Sequence, residues 1–259
     1  MLRTVAAMVV LAVSAPTEAK IRTKAVAYKH GDVDLEGFLA WDDAGADKRP
    51  GVLVVHEWWG LNDYAKSRAE QLAKLGYVAF AADMFGKGKV TADPKVAGEW
   101  AGHMRGNVEA WMARARVALD VLRAHQRVDP KKVAAIGYCF GGSTVLGLAF
   151  GGADLAAVVS FHGALSETTP EQAKAVKGRI LVCHGADDAF VPADVIGKFR
   201  AVLDQAKTPY QFVAYPGAKH SFTNPGADKY GVDGVKYDKA ADAQSWKDMR
   251  ALFDKVFRP

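Results

Sequence analysis

Cysteine is scarce in this chain: Cys139 and Cys183 are the only two among 259 residues. No C-x-x-C pair occurs, so thioredoxin-like redox chemistry has no support. Long runs of one charge are missing as well. The 34 Lys and Arg residues interleave with 29 Asp and Glu, leaving a net charge of +5. That pattern describes a solvated mixed-charge surface and no nucleic-acid partner. Internal repeats, linkers and low-complexity tracts are absent, so residues 20–259 read as one domain. Beyond the first residues, no apolar stretch reaches the roughly 20 residues that a membrane-spanning helix needs.

What is present is enough to build a full core, since half of the residues are hydrophobic. The N-terminus stands apart. Arg3 precedes an almost wholly apolar stretch at 4–15, and Thr17-Glu18-Ala19 supplies small residues before Lys20. This is the layout of a secretory signal peptide over residues 1–19. The expectation is an exported protein, periplasmic or secreted, with no stable membrane insertion after processing. An uncleaved anchor is the alternative.

Residues 51–56, GVLVVH, form a short apolar run rich in β-branched side chains. Such a run marks a strand buried on both faces. Residues 77–82, 132–138, 155–160, 180–183 and 210–215 also read as strands. Residues 26–28 and 35–41 read as two more, joined at His30-Gly31-Asp32. Helical patterns fall at 62–75, 94–104, 108–125, 140–150, 193–207 and 240–257. The alternation predicts an α/β fold with a mainly parallel sheet and helices on both faces. Ligands in such sheets bind beyond the carboxyl ends of the strands. His56 and Glu57, Asp83, Cys139, His162, the segment His184 to Asp188, and His220 all follow strands.

Gly137-Tyr138-Cys139-Phe140-Gly141-Gly142 sits between a strand and a helix. It has the Gly-x-nucleophile-x-Gly form of a nucleophile elbow, with cysteine in place of the commoner serine. The turn is strained, so a β-carbon on either glycine would meet backbone. The helix start favours a thiolate and offers the Phe140 N–H to an oxyanion. Cys183 ends an apolar run and reads as a buried core residue. A base and an acid follow in the order this elbow requires. His220 lies in one post-strand loop, and Asp188 in an earlier one would fix its tautomer. Asp187 reads as a solvated turn residue and His184 as part of the same turn. The Trp58 N–H stands where a second oxyanion donor is expected. Glu57, beside two indoles, is a carboxylate that could interact with the Cys139 thiol. Trp59 is a candidate for lining an apolar pocket. His162 and His184 have no spacing that unites them as metal ligands, so no metal is expected.

These motifs together resemble the dienelactone hydrolase family over nearly the whole chain after residue 50. The similarity rests on the G-Y-C-x-G-G elbow, the G-x-x-D-x-F-V-P loop and the G-x-x-H-S-F loop. It implies an α/β-hydrolase fold, a Cys139–His220–Asp188 triad, and hydrolysis of a small ester or lactone without a cofactor. It also implies that Glu57 pairs with the resting thiol. Characterised members hold a substrate carboxylate with two arginines, and here Lys87 and Asn224 stand in those places as substrate-binding candidates. A non-catalytic binding protein, and an exported esterase or peptidase acting on larger substrates, are the rival readings.

Overall fold

The computed structural model describes residues 20–45 and 47–257. The expected signal peptide lies outside them. Two antiparallel strands open the fold, β1 (Ile21–His30) and β2 (Val33–Asp42). Alternation of βstrands and αhelices then follows: β3 (Arg49–Val55), α1 (Asp63–Lys74), β4 (Val78–Ala82), α2 (Pro94–Arg105) and α3 (Val108–Ala124). After these come β5 (Val128–Tyr138), α4 (Phe140–Phe150), β6 (Ala157–Phe161), α5 (Pro170–Lys174) and β7 (Arg179–Gly185). The chain closes with α6 (Ala193–Ala206), β8 (Tyr210–Tyr215), a 3-10 turn at Ala227–Tyr230 and α7 (Lys239–Phe257).

The eight strands form one sheet in the order β1-β2-β4-β3-β5-β6-β7-β8. From β4 to β8 every pairing is parallel, and only the β1–β2–β4 edge is antiparallel. This is the α/β-hydrolase arrangement. One apolar core lies between the sheet and α3, α4 and α6, with Trp111, Leu122, Phe140, Val145 and Phe199 among its members. A second core on the opposite face buries Leu72, Phe253 and Phe257 from α1 and α7. The central strands read as unbroken apolar runs because both faces are covered.

Two differences from the sequence reading have simple causes. Strand β5 starts at Val128, because Arg49 pairs with Val128 ahead of a bulge at Pro50/Gly51. Helix α5 is only five residues long, too short for a periodic signal. Its Thr169–Gln172 capping box was the available clue.

The register carries the functional consequence. Val55 aligns with Gly137, Gly137 with Ser160, and Phe161 with Cys183. Glu57, Cys139 and His162 therefore emerge at one edge of the sheet. Among the described residues, no helix is long and apolar enough to cross a membrane.

Candidate active site

Cys139 directly follows β5 and caps α4 with φ 52° and ψ −112°. A positive φ at a non-glycine residue is strained. The neighbours explain how it is accommodated. A β-carbon on Gly137 would lie 2.0 Å from the Gly141 carbonyl oxygen, and one on Gly141 would lie 2.1 Å from that of Val55. Glycine is therefore required on both sides of the turn. Cys139 stays partly accessible, while Cys183 is fully buried and accepts a hydrogen bond from the Tyr215 hydroxyl at 3.4 Å. Both cysteines are free.

His220 reaches Asp188 through Nδ1–Oδ2 at 2.8 Å. Asp188 is held in turn by the Phe190 N–H, which donates to Oδ1 at 2.9 Å. Asp187 is exposed. His184 is buried against Phe212, and its Nδ1 has no hydrogen-bond partner among the described residues. Burial works to lower the pKa of His220, but Cys139 on one side and Asp188 on the other outweigh it. Charge and hydrogen bonding from these two groups push it up to about 10. Both groups thus favour the protonated ring, set between sulfur and carboxylate.

The two candidate oxyanion donors lie in separate segments that follow strands. The Phe140 N–H is at the first position of α4, where no intrahelical acceptor exists. The Trp58 N–H belongs to the turn after β3. That turn is held by His56, which sequence reasoning left without a role. His56 Nε2 accepts from the Met84 N–H at 3.2 Å, so Nδ1 carries the proton and donates to the Glu57 carbonyl. The peptide that ends in the Trp58 N–H is thereby fixed. The His56 ring also stacks on Phe140, at 6.2 Å between centroids.

Four expectations are corrected by the geometry. Glu57 does not direct its carboxylate to the thiol. Oε1 accepts from the Ser221 hydroxyl and Oε2 from the Asn224 amide, each at 2.6 Å. Burial raises the Glu57 pKa, and these two donors oppose the rise. A buried carboxylate needs donors, and the His220 loop supplies them. Asn224 is therefore buried and occupied, not turned to a ligand. Lys87 pairs with Glu36 at 3.0 Å, over the β1–β2 edge. Trp59 is core, stacked on Tyr230 at 3.8 Å.

The residues that do line the cleft over Cys139 and His220 are Trp58, Phe190, Val232 and Val235, with Ala164 and Arg105 at its walls. The cleft holds about 270 Å³. Phe190 is 53 % exposed, yet its ring sits 5.0 Å from that of His220. Arg105, at the end of α2, makes no ion pair among the described residues; its guanidinium lies 6.0 Å from the Phe140 ring. Its position in a long loop-helix excursion hid it from sequence reasoning, since no strand end marks it. No group of three or more His, Cys, Asp or Glu side chains is gathered as metal ligands would be, among the described residues.

A family model for dienelactone hydrolases matches residues 35–257. The chain belongs to the dienelactone hydrolase family. A solved structure named m3DLH is 43% identical, with a TM-score of 0.88 over 91% of this chain and 98% of its own. A dienelactone hydrolase-like promiscuous phosphotriesterase, P91, from metagenomic libraries is 41% identical, with the same TM-score and coverage. Protein usf of Aquifex pyrophilus is 30% identical over 77% of this chain and 86% of its own length. Membership supports a hydrolase, and a small-molecule substrate is consistent with the family.

Proposed function

We propose that this protein hydrolyses small esters or lactones through a Cys139–His220–Asp188 triad, by way of a thioester. The observation that carries the proposal is the His220 ring, hydrogen-bonded to the Asp188 carboxylate at 2.8 Å and lining the same apolar cleft as Cys139. The sulfur attacks the carbonyl carbon and a C–S bond forms. The Trp58 and Phe140 N–H groups receive the developing oxyanion. Collapse breaks the C–O bond, and the alkoxide takes the proton of His220. The thioester sulfur carries no charge, so His220 loses the partner that held its proton. Now neutral, it deprotonates a water that attacks the thioester. The C–S bond breaks, the acid leaves, and the thiolate–imidazolium pair is restored.

Glu57 takes a supporting part in this scheme. Tied to Ser221 and Asn224, it fixes the loop that carries His220 and does not compete for the thiol. A thiolate is a better leaving group than most alkoxides, so activated esters, enol lactones and strained rings are the favoured substrates. The sequence of residues 1–19 adds the proposal that the protein is exported. N-terminal sequencing of the protein recovered outside the cytoplasm checks that part.

The decisive experiment compares wild type, Cys139→Ala and Cys139→Ser on a panel of activated esters and lactones. Turnover by wild type, lost in Cys139→Ala, is expected. Full activity in Cys139→Ala sinks the assignment. Iodoacetamide should label Cys139 and spare the buried Cys183.

A further inference from the structure

His162 has no part in the triad, yet it touches both halves of the site. It follows β6, is wholly buried, and takes a φ of 40°. Cys139, His162 and Ser221 are three of the four described non-glycine residues with positive φ. Strain of this kind persists where surrounding contacts over-determine the backbone. Here the contacts are specific. The His162 N–H donates to the Cys183 carbonyl at 2.8 Å. The Cys139 N–H, shared with the Phe161 carbonyl at 3.0 Å, donates to His162 Nδ1 at 3.1 Å.

Because Nδ1 accepts, it carries no proton, and Nε2 must carry the one proton of a neutral ring. Nε2 then donates to the Thr223 hydroxyl at 2.7 Å. Thr223 lies three residues beyond His220, in the same loop. Its hydroxyl shares a 2.6 Å hydrogen bond with Tyr64, and its carbonyl accepts from Arg68 at 2.6 Å. The tautomer is therefore locked from both ends. Burial, then the charges of His220 and Arg68, hold the His162 pKa well below its ordinary value, so the ring stays neutral.

We propose that His162 is a positioning residue: one nitrogen holds the nucleophile's own amide, the other holds the base loop, and the ring sets the register of sulfur against imidazole. The inference rests on the reading of Cys139 as nucleophile. Rotation of the Cys139 amide would also turn the next peptide, whose N–H is that of Phe140. One ring thus governs the aim of the sulfur and of one oxyanion donor.

The test exploits amide isosteres. Asn places an oxygen where Nδ1 accepts, and Gln places an NH2 where Nε2 donates. His162→Asn, His162→Gln and Thr223→Val are compared with wild type. The readouts are kcat and KM on p-nitrophenyl acetate, the pH profile of Cys139 alkylation by iodoacetamide, and melting temperature. His162→Gln is expected to lose on the order of 100-fold in kcat with KM unchanged, as misaligned reacting groups do. Its alkylation profile should move to higher pH. His162→Asn should recover most of the loss at a similar melting temperature. Equal losses in the Asn and Gln variants that follow melting temperature, with an unchanged alkylation profile, overturn the proposal. If neither folds, Thr223→Val decides: a shifted profile supports the clamp and an unshifted one refutes it. Activity persisting in Cys139→Ala would defeat the hydrolase reading, while the alkylation profiles would still judge the clamp.

Discussion

Asn224 donates to Oε2 of Glu57 at 2.6 Å, while its own Oδ1 accepts from the Gly226 N–H at 2.8 Å. The amide is therefore pinned in one orientation and always presents a donor to Glu57. The carboxylate is satisfied by the loop that carries the base, and the thiol is left to His220. Burial raises the Glu57 pKa above its ordinary 4.5. The folded state thus releases this proton at higher pH than the unfolded state, so the stability it contributes is complete below about 4.5 and is lost as pH rises through the raised value. Glu57→Gln fits the same pocket, with its oxygen facing Asn224 and its NH2 facing the Ser221 oxygen. Thermal unfolding across a pH series should show the variant gaining on wild type as pH rises toward neutral. A constant gap would count against the raised pKa. Asn224→Leu, which strips a buried partner, should cost about 1–3 kcal/mol.

His220 offers a second pH test of opposite origin. Its pKa is raised from 6.5 to about 10. Its contribution to stability is complete below about 6.5 and is lost as pH climbs through about 10. An NMR titration of the His220 ring should find it protonated through neutral pH. Cys139→Ala and Asp188→Asn should each bring the midpoint down, because each removes a partner of the imidazolium. Asp188→Asn should also lower kcat by a factor on the order of 100 to 10,000, through loss of the correct tautomer. A wild-type midpoint near 6.5 would contradict the ion pair.

The parts of this molecule that were legible in the sequence are those set by local rules. Apolar runs such as residues 51–56 announce strands covered on both faces. The Gly137–Gly141 frame announces a turn that tolerates no β-carbon. Chain order placed the acid and base loops, and turn preference favoured Asp188 over Asp187. Where the partner of a side chain lies far along the chain, local rules fail. Glu57 finds Ser221 and Asn224 more than 160 residues away. Lys87 finds Glu36 across a strand pair, and Trp59 finds Tyr230 in the loop before α7. Position beside the elbow and family resemblance pointed these three side chains to ligand or thiol, and neither shows a distant partner. Arg105 and His162 show the converse, because their importance lies wholly in what the fold brings beside them.

Arg105 makes the cleft chemically asymmetric. Among the described residues that line it, the other basic side chain is His220, which is paired with Asp188, and the rest of the walls are mainly apolar. An ester with an anionic group at the α2 side should gain from Arg105, by about 1 kcal/mol for so exposed a charge. Arg105→Gln should then raise KM about fivefold for an anionic ester and leave a neutral analogue of the same size unchanged. Steady-state kinetics on a matched pair, at low and high salt, reads this directly. An equal effect on both esters would reduce Arg105 to a packing role over Phe140.

The elbow glycines make the sharpest mechanical prediction, because the chain supplies its own controls. A β-carbon on Gly141 would meet the Val55 oxygen at 2.1 Å and that of His56 at 2.8 Å. Both atoms are backbone, on the strand end that positions Glu57 and Trp58, so neither can swing aside. Gly141→Ala should cost at least the 1–3 kcal/mol of ordinary overpacking. It should also separate Cys139 from the Trp58 donor, so that kcat falls further than stability alone would explain. Gly102 in α2 and Gly197 in α6 have nothing within 4 Å of a built β-carbon. There, replacement by alanine should stabilise by about 0.5–1 kcal/mol, since glycine loses more backbone entropy within a helix. Urea unfolding of the three variants, with kcat for each, separates steric demand from helix propensity. If Gly141→Ala folded and turned over like the two helix variants, the close approach of α4 to β3 would not be what sets the aim of Cys139.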